Sequence, residues 1–300
     1  MIGFSIAACV GVVIFVILSL VFWRRIQKQK KLLRQLTEEE IAEFELGNPE
    51  AVNTDENTNN QGHLLAYNMA YEFPKENLDI HMNDKLGSGA FGVVVKAFAK
   101  GIYTTEELSL VAVKTIKANA EITYFKALLM ELKIMSRIGR HPNIVNLLGA
   151  CTRDIRKREV FIIVEFCANG NLENYIRTRR HGFVDIFKKS SKETSAPMYQ
   201  NSLPKDSVST ENLLTWSYQI ASGMEYLASR KVIHGDLATR NVLLTESLFA
   251  KIGDFGLSRQ LYSYSNYVKK NQSPLPWRWM ALESLRDMEF STKSDVWAFG

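Results

Sequence analysis

Three hundred residues, 46% hydrophobic and 23% charged, are ordinary globular composition and suffice for a large core. The net charge of +5 is modest, and Arg24, Arg25, Lys28, Lys30, Lys31 and Arg34 crowd into one stretch. The remainder is close to neutral, which excludes a nucleic-acid partner, and Cys9, Cys151 and Cys167 lie too far apart for a disulfide framework, so the bulk reads as reduced and cytosolic.

The chain begins with an apolar run from Ile2 to Trp23. At about 1.5 Å per helical residue it reaches roughly 33 Å, enough for a hydrocarbon core of about 30 Å. A signal peptide would carry its positive charge before the run and a small-residue cleavage site after it. Here the charge follows the run and Trp23 marks an interface, so residues 1–23 are expected to form a transmembrane helix with its C-terminal side in the cytosol. Gly3, Ala7 and Gly11 share a spacing that would let two such helices approach closely, and that also arises by chance in an apolar segment.

Residues 24–77 read as a juxtamembrane segment and linker. Thr37 with Glu40 makes a capping box for a short helix, and "ELGNPEAVNTDENTNNQG" (Glu45 to Gly62) is rich in turn formers. From Leu78 the pattern becomes globular, with strand-like runs "GVVVKAFA" and "LSLVAVKTI" joined by a loop containing Gly101. Ile122 to Ile138 has helical spacing, with Phe125, Leu128, Leu129, Leu132 and Met135 on one side, and "EVFIIVEFC" (Glu159 to Cys167) is another buried strand. A Ser-, Lys- and Pro-rich stretch at about 182–210 has too few large apolar residues for a core and reads as an insertion. "NLLTWSYQIASGMEYLA" returns to helical spacing, and "STKSDVWAFG" stops inside an apolar helix.

"LGSGAFGVVV" sets Gly87, Gly89 and Gly92 between strand residues, where backbone amides can approach phosphate oxygens without a Cβ in the way. Strand continues after it where a dinucleotide-binding turn would need a helix, which points to a hairpin covering phosphates. Lys114 follows on a strand, Glu131 lies seventeen positions later on the amphipathic helix, Asp236 and Asn241 stand five apart in "HGDLATRN", and Asp254 precedes Phe-Gly in "KIGDFG". This series, in order and in strand or helix context, resembles the protein-kinase signature.

The resemblance implies an α+β, two-lobed protein-kinase fold after the transmembrane helix. It consists of a β-rich N-lobe and hinge over 78–167 and a helical C-lobe over 168–300, incomplete and carrying the insert. It implies ATP and Mg²⁺: Lys114 on the phosphates, Glu131 fixing Lys114, Asp254 and Asn241 on the metal, Asp236 as base with Arg240 beside it. Leu86, Gly87, Ser88, Gly89, Gly92, Val94, Ala112, Val164, Glu165 and Cys167 would complete the nucleotide site, the last two in the hinge. "DLATRN" and "PLPWRWMALE" resemble tyrosine kinases. "ELKIMSRIGRHPNIVNLLGACT", "IIVEFCANGNLENYI" and "YEFPKENL" resemble the split-kinase receptors of the vascular endothelial and platelet-derived growth factor receptor group, the vascular endothelial branch favoured.

That likeness, over about 64–300, implies a single-pass plasma-membrane receptor with a cytosolic kinase, missing parts at both ends. Its implied partners are protein tyrosine substrates, a second copy brought in by ligand, and phosphotyrosine-binding adaptors. Tyr267, Tyr264, Tyr199 and Tyr67 are the candidate phosphorylation sites, Tyr199 lying in "MYQNS" with an asparagine two positions on. Three positions depart from the pattern: Gly235 stands for arginine, Thr239 for alanine and Leu282 for proline. A membrane-anchored pseudokinase that binds nucleotide without transfer is the rival reading.

Overall fold

A computed structural model describes residues 16–24, 35–47, 66–89, 92–104, 107–117, 120–187, 207–257, 259–260, 267–268 and 276–300. Of the apolar run, residues 16–24 are described and form a helix with exposed side chains. Among the described residues no helix is long and apolar enough to cross a membrane. The rest of the expected span, with Gly3, Ala7 and Gly11, lies outside them, as do Tyr199, Tyr264 and most of the insert.

Helix α1 (Glu38–Leu46) starts at the expected capping box, Thr37 Oγ1 accepting from the Glu40 amide (3.2 Å) and Glu40 Oε2 from the Thr37 amide (3.0 Å). Strands β1 (Leu78–Ser88), β2 (Val93–Lys100) and β3 (Leu108–Thr115) follow. Along β2 burial alternates, with Val95, Ala97 and Ala99 inward, as a sheet with one face on a core requires. After α2 (Ile122–Ile138) come β4 (Leu147–Cys151) and β5 (Phe161–Glu165), giving an antiparallel five-stranded sheet ordered β1-β2-β3-β5-β4. Phe125, Leu128, Leu129, Leu132 and Met135 of α2 are all buried. Residues just before β1 also dock on the sheet: the Phe73 amide donates to Ala150 O (2.7 Å), and Glu72 accepts from the Thr152 amide (3.0 Å).

The second lobe is helical, with α3 (Leu172–Arg179) and α4 (Thr210–Ser229) at its centre. Tyr175 meets Trp216 edge-on at 5.8 Å, and Trp216 Nε1 donates to Leu248 O (2.9 Å). The insert leaves and returns at one place, since the Val184 amide donates to Val208 O (2.9 Å) and the Thr210 amide to Val184 O (3.2 Å). Short strands β6 (Val232–Ile233), β7 (Val242–Leu244), β8 (Ala250–Ile252), β9 (Arg259–Gln260) and β10 (Tyr267–Val268) come next. Helix α5 (Leu282–Arg286), β11 (Glu289–Phe290) and α6 (Thr292–Phe299) complete the lobe, with the pairs β7-β8, β6-β9 and β10-β11. The two-lobed architecture matches the expected fold.

The lobes join where the segment after α2 pairs with β8: the Val145 amide donates to Ile252 O and the Ile252 amide to Asn143 O, each at 2.8 Å. Helix α4 closes on this junction at Gly223, where a Cβ would meet both Asn143 O and Ile252 Cδ1 at 2.8 Å. Gly223→Ala should therefore destabilise the protein by about 1–3 kcal/mol, because Asn143 O belongs to the backbone and the Ile252 side chain is fully buried. The denaturant midpoint measures this, and an unchanged midpoint would refute the close approach.

Candidate active site

The glycine-bearing turn lies between β1 and β2, a hairpin continuing as strand on both sides. Gly92 cannot be otherwise: a Cβ there would sit 2.3 Å from Thr115 O. Register places Val94 opposite Lys114, so the turn overhangs the lysine. Lys114 Nζ donates to Glu131 Oε1 (2.6 Å) on α2 and to Asp254 Oδ1 (2.9 Å) beyond β8. Burial would push the Lys114 ammonium down, but the two carboxylates outweigh it and its pKa stands above the usual lysine value. Glu131 is buried, and burial raises its carboxyl against the opposing pull of Lys114. For Asp254 burial also pushes upward, yet Lys114 prevails and the carboxyl lies below the ordinary aspartate value.

Asp254 sits at φ 59, a left-handed backbone conformation unfavourable for a non-glycine residue. The strain is opposed on both sides: the Gly256 amide approaches Asp254 Oδ1 (3.4 Å), and Phe255, 1% exposed, packs edge-on against His234 at 5.5 Å.

The loop between β6 and β7 carries Asp236. His234 is fully buried, its Nε2–H donating to Gly253 O (3.0 Å) and its Nδ1 accepting from the Asp236 amide (3.3 Å), which fixes the tautomer. Asp295 on α6 accepts from the amides of His234 (2.8 Å) and Gly235 (2.9 Å). Gly235 takes φ 73, which glycine reaches without a Cβ penalty. Asp236 bonds Arg240 through Oδ1 and accepts from Asn241 Nδ2 through Oδ2 (2.9 Å). Burial raises the Asp236 carboxyl, opposed first by Arg240 and then by Asn241. Arg240 also lies over the Trp279 ring at 4.2 Å.

Lys114, Glu131, Asp236, Arg240, Asn241 and Asp254 open onto one cleft of about 550 Å³ between the lobes. Leu86, Gly87, Ser88, Gly89, Gly92, Val94, Ala112, Lys114, Val164, Glu165 and Cys167 line it on one side, and Asp236, Arg240, Asn241 and Asp254 on the other. The Glu165 carboxylate is held by the Asn146 amide (3.0 Å), Asn146 Nδ2 (3.0 Å) and Lys251 Nζ (2.9 Å), so the connecting strand is tied to both lobes. Burial raises the Cys167 thiol to about 11, which keeps it a neutral hydrophobic wall.

Sequence reasoning passed over Met135, Val145, Leu243 and Phe255 in the lining, and His234 and Asp295 behind it. The first four look like ordinary core residues. Asp295 had one signal, a carboxylate directly before the apolar stretch "VWAF". Tyr67 is 3% exposed and stacks on Phe44, away from the cleft, while the Tyr267 backbone pairs with Phe290.

Comparison with known proteins agrees with the geometry. The family described as protein tyrosine and serine/threonine kinase matches residues 80–300. Vascular endothelial growth factor receptor 3 of Coturnix coturnix is 41% identical over 267 residues, covering 77% of this chain and 19% of the receptor. Vascular endothelial growth factor receptor kdr-like of Danio rerio is 41% identical over 270 residues (77% and 20%), and vascular endothelial growth factor receptor 1 of Homo sapiens 36% over 334 (97% and 24%). The chain thus spans about a fifth to a quarter of the length of these relatives.

The backbone at position 235 can be tested without any activity. Gly235→Arg should lower the unfolding free energy by about 1–2 kcal/mol, the cost of a left-handed L-residue. A variant as stable as the parent would show that the loop adopts another path.

Proposed function

The chain belongs to the protein tyrosine and serine/threonine kinase family, and from that premise we propose that it transfers the γ-phosphate of ATP to protein tyrosines, its own included, as the cytosolic kinase of a single-pass growth-factor receptor. One observation carries the reading: Lys114, Glu131 and Asp254, drawn from three distant segments, meet in one cleft with Asp236 and Asn241. Phosphoryl transfer asks for positioned charge more than covalent chemistry, and that is what these residues offer. Lys114 neutralises phosphate oxygens under the glycine turn, Glu131 holds Lys114 there, and Asp236 accepts the proton of the attacking hydroxyl.

Asn241 and Asp254 suit a hard cation. Asn241 Nδ2 is spent on Asp236, which turns its carbonyl oxygen outward as an oxygen donor, and Asp254 is a carboxylate held ionised. Mg²⁺ would supply neutralisation of the phosphate charge.

Tyrosine as acceptor is supported by "DLATRN" and "PLPWRWMALE" and by the receptor relatives; in this chain Arg240 joins Asp236 to Trp279 of the second segment. The apolar run at residues 1–23 and the basic cluster after it support a plasma-membrane anchor. Ligand-induced pairing, phosphotyrosine adaptors and phosphorylation at Tyr267, Tyr264, Tyr199 or Tyr67 belong to the same proposal; for Tyr67 the ring must first leave Phe44.

Asp236→Asn should cut phosphotyrosine formation by about 100-fold or more while thermal stabilisation by ATP and Mg²⁺ persists. Lys114→Met should abolish transfer in a folded protein and weaken that stabilisation. Transfer surviving in either variant would remove the residue from its role, and nucleotide binding without transfer in the parent would favour the scaffold reading. Because Arg240 holds the Asp236 carboxyl down against burial, Arg240→Met should raise its pKa. A base must be deprotonated, so the acid limb of the kcat profile should move to higher pH; a limb that stays put would separate Arg240 from the titration.

A further inference from the structure

Helix α1 contributes nothing to the cleft lining, yet it is built into the core behind it. Ile41 and Phe44 are 2% and 4% exposed and, with Leu36, share a cluster with Ile122, Phe125, Leu128 and Leu129 of α2. The Phe44 ring stacks on Tyr67 at 5.1 Å, and the Tyr67 amide donates to Phe44 O (3.0 Å). Three cations of α2 reach back to this unit: Lys126 bonds Glu40, Lys133 Nζ donates to Glu43 O (3.1 Å), and Arg137 Nη2 donates to Ala66 O (2.7 Å).

Positions 126, 133 and 137 are seven and four apart, one face of a helix, whereas Glu131 stands two residues from Lys133 and faces the other way. One side of α2 is therefore gripped by α1 while the opposite side presents Glu131 to Lys114. Lys133 is 4% exposed, and its ammonium serves the Glu43 carbonyl, which also accepts from the Gly47 amide (3.1 Å) at the C-terminal end of α1. In this docked arrangement the Lys114–Glu131 pair is closed at 2.6 Å. A strap that restrained the enzyme would have to enter the cleft or displace Glu131, and α1 does neither.

We propose that α1 is a brace for α2, with Phe44 and Lys133 as positioning residues that hold Glu131 against Lys114, so that docking of α1 raises the rate of transfer. The inference rests on the kinase reading and adds to it a route from the segment after the apolar run to the catalytic ion pair. Being a claim of coupling, it needs a coupling measurement.

Phe44→Ala, Lys133→Met and Lys133→Arg are compared in the intact chain, alone and combined with Glu131→Gln, reading kcat and the ATP KM separately together with amide hydrogen exchange. Phe44→Ala and Lys133→Met should lower kcat/KM about fivefold or more, Lys133→Arg should retain most of it, and neither loss should appear on top of Glu131→Gln. Exchange should rise along α2 and stay unchanged along α4. A rate that is unchanged or increased overturns the brace, and so does an equal loss in both backgrounds, which would mark α1 as a general stabiliser. If the parent transfers no phosphate the kinase reading falls, while exchange still decides the brace: α2 amides undisturbed by Phe44→Ala overturn it.

Discussion

Everything in the cleft depends on one charge cluster. Lys114 lies between Glu131, which is buried, and Asp254, which is 52% exposed, so the cost of standing alone falls on Lys114 and Glu131. Taking a carboxylate or ammonium out of water costs several kcal/mol even after relaxation, and removing one partner of a buried pair costs about 3–5 kcal/mol. The three charges consequently enforce one another's positions. β3 supplies the cation, α2 one anion and the segment after β8 the other, so the cluster is satisfied when both lobes and α2 are in register. The contacts that join these segments therefore also fix where the Lys114 ammonium stands in the cleft.

The opposite wall is held by different means. Asp236 is placed by backbone: the Asp295 carboxylate grips the two preceding amides, His234 takes the Asp236 amide, and Asn241 donates to both Asp236 O (2.7 Å) and Oδ2 (2.9 Å). Burial raises the Asp295 carboxyl, countered by these amides. Gly235 fits this frame because a φ of 73 costs it nothing. An arginine at 235 would thus change two things at once, adding a cation and straining the backbone. A glycine between the histidine and the aspartate leaves the contacts of Asp236 and Asn241 as they are.

Much of this was legible locally. The helix over Ile122–Ile138 ends where Gly139 takes φ 83, and its apolar residues recur at helical spacing. Alternation in β2 and the capping box of α1 are equally local signals. What escaped were contacts between residues far apart in sequence. Lys133 bonds a backbone carbonyl ninety positions away, and nothing in "MELKIM" marks that lysine as buried. Glu72 and Phe73 read as linker, but Phe73 docks on β4 through its backbone amide and Glu72 through a carboxylate that accepts from Thr152 just beyond that strand. Asp295 carried no reading at all, because its partners are amides sixty residues earlier.

The two modes of support divide the site into a fixed part and an adjustable part. The loop with Asp236 is locked by amides, and the strand leading to Cys167 is tied to both lobes through Glu165. Helix α2 is different. Its C-terminal end is pinned to the helical lobe, where Tyr226 Oη donates to Ile138 O (2.7 Å) and stacks on His141 at 4.6 Å, while no side chain caps its N-terminus at Glu121. A helix anchored at one end can swing, and Glu131 lies near its middle, where a small rotation breaks a 2.6 Å bond. Side-chain contacts from α1 and the charge on Lys114 oppose that swing. Both act on α2 from outside the catalytic loop, so the position of Glu131 can vary while Asp236, Asn241 and the hinge remain as they are.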